Sequence, residues 1–263
     1  MKIKTGSIDR LLTEDVSRRL TGWGRKVELK FFECVDSTNI RIAELAENGA
    51  GNMTVVLAAR QTAGRGRVGR SFFSPENTGV YMSVLLEADS PEELRRFTPM
   101  AGVAVCRTLG EDAKIKWVND VLLNGRKVCG ILAETVALPD MSGKCSACVG
   151  IGVNVYVPEG GFPPEVRNKA GAVFQKRRAG GLADVAAGVI NNLAELYCMK
   201  EDILEEYRER CIVPGKRITV CRGDSEREAL ALGIDSDFGL IVRYGDGTAE
   251  HLEAGEVSVL GIY

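Results

Sequence analysis

Histidine is the residue type that the sequence has least of, because His251 is the only one among 263 residues. A Ser-His-Asp or Cys-His system needs a histidine beside its nucleophile, and His251 lies in a tail of short predicted strands, far from any nucleophile motif. The scarcity also argues against zinc: the one CxxC pair, Cys145 and Cys148, has no second pair and no histidine at ligand spacing. We therefore expect neither covalent hydrolase chemistry nor a zinc site, and we interpret the pair as two small strand residues.

Long hydrophobic runs are also missing. No stretch approaches the roughly 20 apolar residues of a membrane-spanning helix, and the N-terminus has no uninterrupted apolar core. We expect a cytoplasmic protein with no membrane partner, in which the eight cysteines are reduced thiols. The net charge of -2 gives no overall basic character, so binding to nucleic acid would depend on local patches.

Hydrophobic spacing, capping residues and turn residues predict an α+β order of elements. Helices are predicted over residues 8–20, after the capping residues 36–39, over 90–109, and over 182–211 with a break near residue 200. Strands are predicted over 26–35, 53–60, 79–87, 114–118, a hairpin in 120–135, and 145–157. After residue 213 the sequence pattern changes and predicts short strands separated by turns. The prediction is a large domain over 1–213, of which 1–30 is a short extension, and a small all-β domain over 214–263.

Residues 64–70, GRGRVGR, combine three glycines with three arginines. They match a GxGxxG fingerprint, and with Ser71 they match a Walker loop that has Arg70 in the lysine position. Both motifs need a following helix to receive phosphate, whereas here a proline and a strand follow. What remains is a flexible loop whose guanidinium groups could close over a carboxylate or phosphate. Two alternatives stay open: a solvated arginine loop, and a clamp for single-stranded nucleic acid in which Phe72 and Phe73 stack on bases.

A second group of polar residues surrounds the predicted hairpin turn at Asn124-Gly125. A two-residue loop there would pair Asp120 with Cys129, and would place Lys127 diagonally beside Asp120 on one face of the sheet. The alternative interpretation is an exposed cross-strand ion pair that contributes little to stability.

The segment before this hairpin adds Lys114, Lys116 and Asn119 beside Trp117. Cations for a polyphosphate, the Asp120 carboxylate for magnesium and an amide for orientation are the parts of nucleotide chemistry without a phosphate-binding loop. We predict that Trp117 belongs to the core.

Together these motifs resemble the biotin protein ligases. The resemblance rests on the motifs DSTN at 36–39, QTAGRGRVGR at 61–70, SP at 74–75, KWVND at 116–120, GRKVCGI at 125–131 and GIGVN at 150–154. It continues in the C-terminal part with GID at 233–235 and GEVS at 255–258. The resemblance implies a ligase that joins biotin and ATP into biotinyl-5'-adenylate and passes biotin to a lysine of a biotin carboxyl carrier protein. It also implies a catalytic domain related in fold to class II aminoacyl-tRNA synthetases, with a mixed sheet and flanking helices, followed by an SH3-like barrel.

The resemblance also implies roles for individual residues. The implied biotin-binding residues are Ser37, Thr38, Asn39, Gln61, Arg65, Gly66, Arg67 and Lys127. The implied ATP-binding residues are Arg70, Phe72 beside the adenine, Lys116, Asn119 and Asn154, and Asp120 would hold the Mg²⁺ that accompanies ATP. The implied catalytic residues are Lys127, Arg67 and Asp120. Many members of the family are homodimers, so a homodimer is a further expectation.

Several positions depart from the family pattern. Val118 replaces the usual proline of KWPND, Phe72 replaces a common tryptophan, Tyr156 replaces a second asparagine, and Leu260 replaces an arginine found in some members. Bifunctional members carry an N-terminal winged-helix domain, but only 35 residues precede Asp36, so we expect a monofunctional ligase with no DNA partner and no repressor role. A biotin-sensing relative without ligase activity and a lipoate ligase are weaker alternatives.

Overall fold

The computed structural model describes residues 13–137, 144–222 and 225–253, together with the backbone of 256–259. Its first part contains a seven-stranded mixed sheet in the order β1-β2-β3-β7-β6-β5-β4. Only β1 and β2 run parallel; the other neighbours are antiparallel. The strands are β1 (Glu28–Val35), β2 (Thr54–Gln61), β3 (Gly79–Ala88), β4 (Ala113–Lys116), β5 (Asp120–Leu123), β6 (Arg126–Val136) and β7 (Cys145–Asn154).

Helices cover both faces of this sheet, which is why the central strands β2 and β3 are almost continuously buried. The helices are α1 (Thr13–Arg19), α2 (Thr38–Glu47), α3 (Phe97–Leu109), α4 (Gly181–Cys198) and α5 (Leu204–Arg210). Alternate residues of β2 point to opposite faces: Leu57 joins the core formed with α3 and α4, whereas Val56 packs with Ile42 of α2. Because α2 follows β1 directly and leads into the parallel strand β2, its N-terminus lies at the end of the sheet where β1 ends.

The C-terminal part is a five-stranded antiparallel sheet in the order β11-β10-β9-β8-β12. Its strands are β8 (Arg217–Arg222), β9 (Ser225–Ile234), β10 (Leu240–Tyr244), β11 (Ala249–Leu252) and β12 (Glu256–Val259). The two parts are in direct contact. Trp117, only 3% exposed, donates its indole N–H to the carbonyl oxygen of Phe238 at 2.8 Å, and the ring of Tyr207 meets that of Phe238 edge to face at 5.3 Å. The prediction that Trp117 is a core residue is confirmed.

The α+β class, the mixed sheet, the flanking helices and the small C-terminal β unit are confirmed as predicted. The helical stretch predicted over 182–211 is indeed interrupted around Lys200. Several boundaries differ. The strands predicted over 114–118 and 145–157 end earlier, at Lys116 and Asn154. A 3-10 helix over Gly22–Lys26 delays the first strand to residue 28, and the helix expected from residue 90 begins as a 3-10 turn over Glu93–Arg96 before α3 starts at Phe97.

Other expectations concern the ends of the chain and membranes. Part of the predicted first helix, residues 8–12, and the Leu260 position lie outside the described residues. The division of the chain at 213/214 stays a prediction. Among the helices that the structure describes, none is both long enough and apolar enough to cross a membrane.

Candidate active site

A cleft of about 1300 Å³ opens over the face of the main sheet that carries α2. All fourteen residues predicted for the site line it, although they come from separate segments of the chain. They are Ser37, Thr38, Asn39, Gln61, Arg65, Gly66, Arg67, Arg70, Phe72, Lys116, Asn119, Asp120, Lys127 and Asn154. The structure therefore brings together every residue that the sequence predicted for the site.

Three glycines form the floor of the cleft. Gly130 of β6 pairs with Gly152 of β7, and Gly150 lies two residues earlier on the same face. A Cβ atom at Gly150 would collide with Oδ1 of Asn39, and one at Gly152 would meet the ring of Phe72 at 2.6 Å. The missing side chains let the amide of Asn39 and the ring of Phe72 lie directly on the sheet. The glycines lie within the GRKVCGI and GIGVN motifs, but the sequence did not predict this role.

Buried polar side chains at the start of α2 close one end of the cleft. Ser37, Thr38 and Asn39 are 2%, 3% and 5% exposed. The backbone N–H of Thr38 donates to Oε1 of Gln61 at 2.8 Å, and Nε2 of Gln61 donates to Oγ of Ser74 at 2.9 Å. This end carries hydrogen-bonding groups without net charge, an arrangement suited to a neutral polar ligand.

Ser83 completes this polar group and was not predicted. It is fully buried on β3, opposite Gly150 of β7, and its Oγ donates to Oδ1 of Asn39 at 2.6 Å. A serine within an otherwise apolar strand, GVYMSVLLE, is the only signal in the sequence that could have indicated it.

The GRGRVGR segment folds as a small hairpin-like loop. The N–H of Gly66 donates to the carbonyl of Arg70 at 2.7 Å, and the N–H of Phe72 donates to that of Gly64 at 2.8 Å. At its tip Val68 and Gly69 both have positive φ, and Val68 is 78% exposed. Because no helix follows the loop, the dinucleotide and Walker interpretations are excluded, as predicted.

Two arginines of this loop contact residues of the neighbouring segments. Nη2 of Arg65 lies 2.8 Å from Oε1 of Glu134, and Nη1 of Arg67 donates to Oδ1 of Asn119 at 3.2 Å. Asn119 in turn donates its amide to the carbonyl oxygen of Ile131 at 3.0 Å. The loop is thus held to β6 directly through Arg65 and to the turn before β5 through Arg67.

Lys127 and Asp120 form an ion pair inside the cleft, with 2.6 Å between Nζ and Oδ1. The predicted diagonal contact is confirmed, but the predicted strand register is wrong. Asp120 pairs with Gly130 instead of Cys129, because the ladder between β5 and β6 shifts by one residue at a β-bulge. The bulge brings Asp120 opposite the glycine floor.

The backbone of Lys127 is fixed by a neighbouring segment. Its N–H donates to the carbonyl of Lys169 at 2.8 Å, and its carbonyl accepts the N–H of Gly171 at 2.8 Å. Lys169 also lines the cleft, yet no motif predicted it. The one indication in the sequence is that this basic residue lies in a segment rich in Arg and Lys.

Positive charge dominates the other end of the cleft. The lining of the whole cleft has seven basic side chains, Arg60, Arg65, Arg67, Arg70, Lys116, Lys127 and Lys169, and two acidic ones, Asp120 and Glu165. Four of the basic side chains, Arg70, Lys116, Lys127 and Lys169, cluster with Asp120 at this end. Burial lowers the pKa of Lys116. The negative charge of Asp120 raises this pKa, whereas the positive charges of Lys127, Lys169 and Arg70 lower it further. Such an excess of cations over one central carboxylate favours a polyanionic ligand.

The Cys145 and Cys148 pair has no part in this cleft. Both residues lie on β7, three positions apart, so their side chains point to opposite faces of the sheet. Among the described residues, no group of three or more His, Cys, Asp or Glu is arranged to hold a metal ion.

Comparisons with known proteins agree with this geometry. The model of the Biotin/lipoate A/B protein ligase family matches residues 31–154, and that of the Biotin protein ligase C terminal domain matches 214–260. The biotin--[acetyl-CoA-carboxylase] ligase of Paracoccus denitrificans is 31% identical over 236 residues, covering 84% of this chain and 96% of that protein. The bifunctional ligase/repressor BirA of Bacillus subtilis is 36% identical over 214 residues, which are 80% of this chain but only 61% of that relative's length.

Solved structures give the same result for the fold. Biotin protein ligase from Aquifex aeolicus, in complex with biotin and ATP, superimposes with a TM-score of 0.68 at 25% identity, covering 88% of this chain and 98% of that one. Biotin protein ligase from Leishmania major, in complex with biotinyl-5-AMP, gives 0.57 at 25% identity over 86% of this chain and 99% of that one.

Proposed function

The chain belongs to the biotin/lipoate A/B protein ligase family, and on that basis we propose that it activates biotin with ATP and transfers biotin to a lysine of a biotin carboxyl carrier protein. The observation that carries the proposal is the division of one cleft into a neutral polar end and a cationic end that meet at Lys127. Nζ of Lys127 lies 3.5 Å from where a Cβ of Gly130 would be, so the ammonium group reaches the glycine floor.

We propose that biotin binds at the neutral end. Its fused rings would lie over the floor formed by Gly150 and Gly152, beside the Asn39 amide and at the place that the Phe72 ring now covers. The ureido group would face the polar residues at the start of α2, and the loop containing Arg65, Gly66 and Arg67 would close over the ligand. A carboxylate at the far end of the biotin chain would then approach Lys127.

We propose that ATP binds at the cationic end, through Arg70, Lys116 and Asn119, with Asn154 and Phe72 near the base. Phe72 now lies against Gly152, so its ring would move to accommodate both substrates. Mg²⁺ would arrive bound to ATP, because a single carboxylate together with substrate phosphates is a common Mg²⁺ environment. Asp120 is the residue suited to contact that ion, which would supply charge neutralisation.

Two chemical steps follow from this arrangement. In the first, a biotin carboxylate oxygen attacks the α-phosphorus and the bond to the β-phosphate breaks, releasing pyrophosphate. Lys127 holds the two anions together, and with Arg67 it stabilises the charge that develops on phosphorus. In the second, the carrier lysine attacks the biotinyl carbonyl and AMP leaves. We propose Asp120 as the group that accepts the proton lost by the attacking amine.

The decisive experiment is a titration of biotin into the purified protein by calorimetry, followed by incubation with ATP, Mg²⁺ and a biotin carboxyl carrier domain. We expect saturable binding and a mass increase of one biotinyl group on the carrier. Saturable binding without pyrophosphate release would instead indicate a sensor. Salt-sensitive binding of oligonucleotides without any binding of biotin would favour the nucleic-acid clamp.

Replacing Arg67 by alanine is expected to release the adenylate prematurely. The substitution removes the contact with Asn119 and one cation of the loop, so free biotinyl-AMP should escape about tenfold faster. Chromatography of the reaction without carrier measures this escape. Arg177→Ala is the control, because its guanidinium donates to the carbonyl of Asn77 outside the cleft. Equal escape from both variants would show that the loop is not a lid.

Replacing Lys169 by alanine is expected to raise the KM for ATP about fivefold and to leave the KM for biotin unchanged, because one exposed cation contributes modestly to phosphate binding. Pyrophosphate release at varied ATP and fixed biotin measures this effect. Lys176→Ala, an exposed lysine of the same segment outside the cleft, should match the unsubstituted protein. A higher KM for biotin alone would assign Lys169 to the other end of the cleft.

Three further expectations remain proposals. A biotin carboxyl carrier protein is the proposed macromolecular substrate, the cytoplasm is the proposed location, and a homodimer is the proposed assembly. Size-exclusion chromatography with light scattering tests the last of these.

A further inference from the structure

Glu134 of β6 contacts two parts of the site that come from distant segments of the sequence. Its Oε1 lies 2.8 Å from Nη2 of Arg65 in the arginine loop, and its Oε2 accepts a hydrogen bond from Nδ2 of Asn39 at 2.8 Å. The side chain is 29% exposed, so solvent screens these contacts only partly. Neither the motifs nor the roles proposed above include this residue.

Glu134 and the carbonyl of Leu132 together fix which way the amide of Asn39 points, and Glu134 makes the shorter contact. Nδ2 of Asn39 donates both to Glu134 and to the carbonyl oxygen of Leu132, the latter at 3.2 Å. An ionised carboxylate accepts hydrogen bonds but cannot donate them, so the NH₂ group must face Glu134. Oδ1 of Asn39 is thereby turned towards Ser83 and Gly150.

The same orientation sets the direction of the neighbouring hydrogen bonds. Ser83 has a single hydroxyl hydrogen, and its Oγ lies 2.6 Å from Oδ1 of Asn39 and 2.8 Å from Oγ1 of Thr38. Because the amide oxygen only accepts, the hydrogen of Ser83 points to Asn39, and the Thr38 hydroxyl, which also lies 3.2 Å from Oε1 of Gln61, then donates to Ser83 or to Gln61. Oδ1 of Asn39 keeps its second lone pair for a donor on the glycine floor, where a cyclic urea would present an N–H.

The other carboxylate oxygen anchors the loop. Arg65 begins the loop, and a β-bridge between Arg65 and Ser71 closes it at its base. An ion pair between Arg65 and Glu134 therefore fixes the base of the loop while its tip at Val68 remains exposed. One carboxylate thus links the orientation of the polar pocket to the position of the loop.

We propose that Glu134 is a positioning residue: it orients the Asn39 amide so that the pocket accepts a hydrogen bond from the ureido N–H of the ligand, and it anchors the arginine loop through Arg65. This inference rests on the proposed biotin-ligase function. It assigns to Glu134 two separable effects, one on biotin affinity and one on retention of the adenylate.

The test compares the unsubstituted protein with Glu134→Gln, which keeps the size of the side chain but introduces an N–H₂ group. An amide at this position can donate to Asn39, so only the longer hydrogen bond to the Leu132 carbonyl still holds the Asn39 amide in its orientation, and the ion pair with Arg65 is lost. We expect biotin to bind about tenfold more weakly by calorimetry and free adenylate to escape faster, with an unchanged KM for ATP. Arg65→Ala should release the adenylate faster to a similar extent, because it removes the same ion pair.

Glu87→Gln is the matched control, because Glu87 on β3 forms an ion pair with Lys144 at 2.9 Å outside the cleft. Its biotin affinity and adenylate escape should equal those of the unsubstituted protein. The melting temperature of each variant monitors folding, and Glu134→Asp, which keeps the carboxylate, should recover part of the biotin affinity even if Glu134→Gln folds poorly.

A folded Glu134→Gln protein with normal biotin affinity and normal escape would overturn the inference while leaving the ligase function intact. Equal losses in Glu134→Asp and Glu134→Gln would also overturn it, since the charge would then be irrelevant. Failure of the unsubstituted protein to bind biotin would instead overturn the proposed function itself.

Discussion

Lys127→Ala is expected to lower the rate of adenylate formation at least about 10³-fold, corresponding to roughly 4 kcal/mol of lost transition-state stabilisation. Nζ of Lys127 reaches both the glycine floor and Asp120, so the substitution removes the cation that we propose holds the carboxylate and the α-phosphate together. The fold should survive, because Lys116 stays close to Asp120 and still interacts favourably with its charge.

Pyrophosphate release in single-turnover experiments measures this effect, and calorimetry with biotin alone shows whether the pocket persists. Lys144→Ala is the control, because it removes an ammonium group that pairs with a carboxylate on the same sheet, at 2.9 Å from Glu87, but outside the cleft. Near-normal pyrophosphate release by a folded Lys127→Ala protein would contradict the role assigned to this lysine.

Gly150→Ala is expected to reduce biotin affinity at least about 100-fold. The added methyl group would collide with Oδ1 of Asn39, a side chain that cannot easily move because Ser83, Leu132 and Glu134 all hydrogen-bond to it. Overpacking of this kind typically costs about 1–3 kcal/mol of stability as well, so the melting temperature should also fall. Rearrangement of Asn39 would destroy the polar end of the pocket.

Calorimetry with biotin and thermal denaturation together test this expectation. Gly233→Ala on β9 is the matched control, since it is also a strand glycine but its Cβ would meet no atom within 4 Å. That variant should bind biotin normally. Tight biotin binding by Gly150→Ala would show that the ligand does not lie on the glycine floor.

The sequence predicted those residues of the cleft that belong to short, contiguous motifs. Lys127 and Asp120 are an example, because a hairpin turn at Asn124-Gly125 brings them together through local geometry alone. Ser83 and Glu134 could not be found in this way, since their roles depend on β3, β6 and β7 being neighbours and on α2 lying across them. Strand order is a long-range property that local periodicity does not encode.

The register of β5 against β6 illustrates a second limit. The turn type was correctly predicted, and Leu123 pairs with Arg126 as a two-residue loop requires. The bulge that follows makes Asp120 pair with Gly130 instead of Cys129. It lies next to Lys127, whose backbone hydrogen bonds to Lys169 and Gly171 compete with the regular strand ladder. Local turn chemistry therefore fixed the start of the hairpin but not its end.

The indole hydrogen bond between Trp117 and Phe238 ties the C-terminal sheet to the segment that carries Asn119 and Asp120. A C-terminal module exchanged with that of another protein would have to present a carbonyl to this indole and an aromatic ring to Tyr207. Without both, a buried donor would lose its acceptor directly beside the turn that carries Asn119 and Asp120. A substitution at Phe238 would consequently act on that turn, although Phe238 belongs to the C-terminal part of the chain.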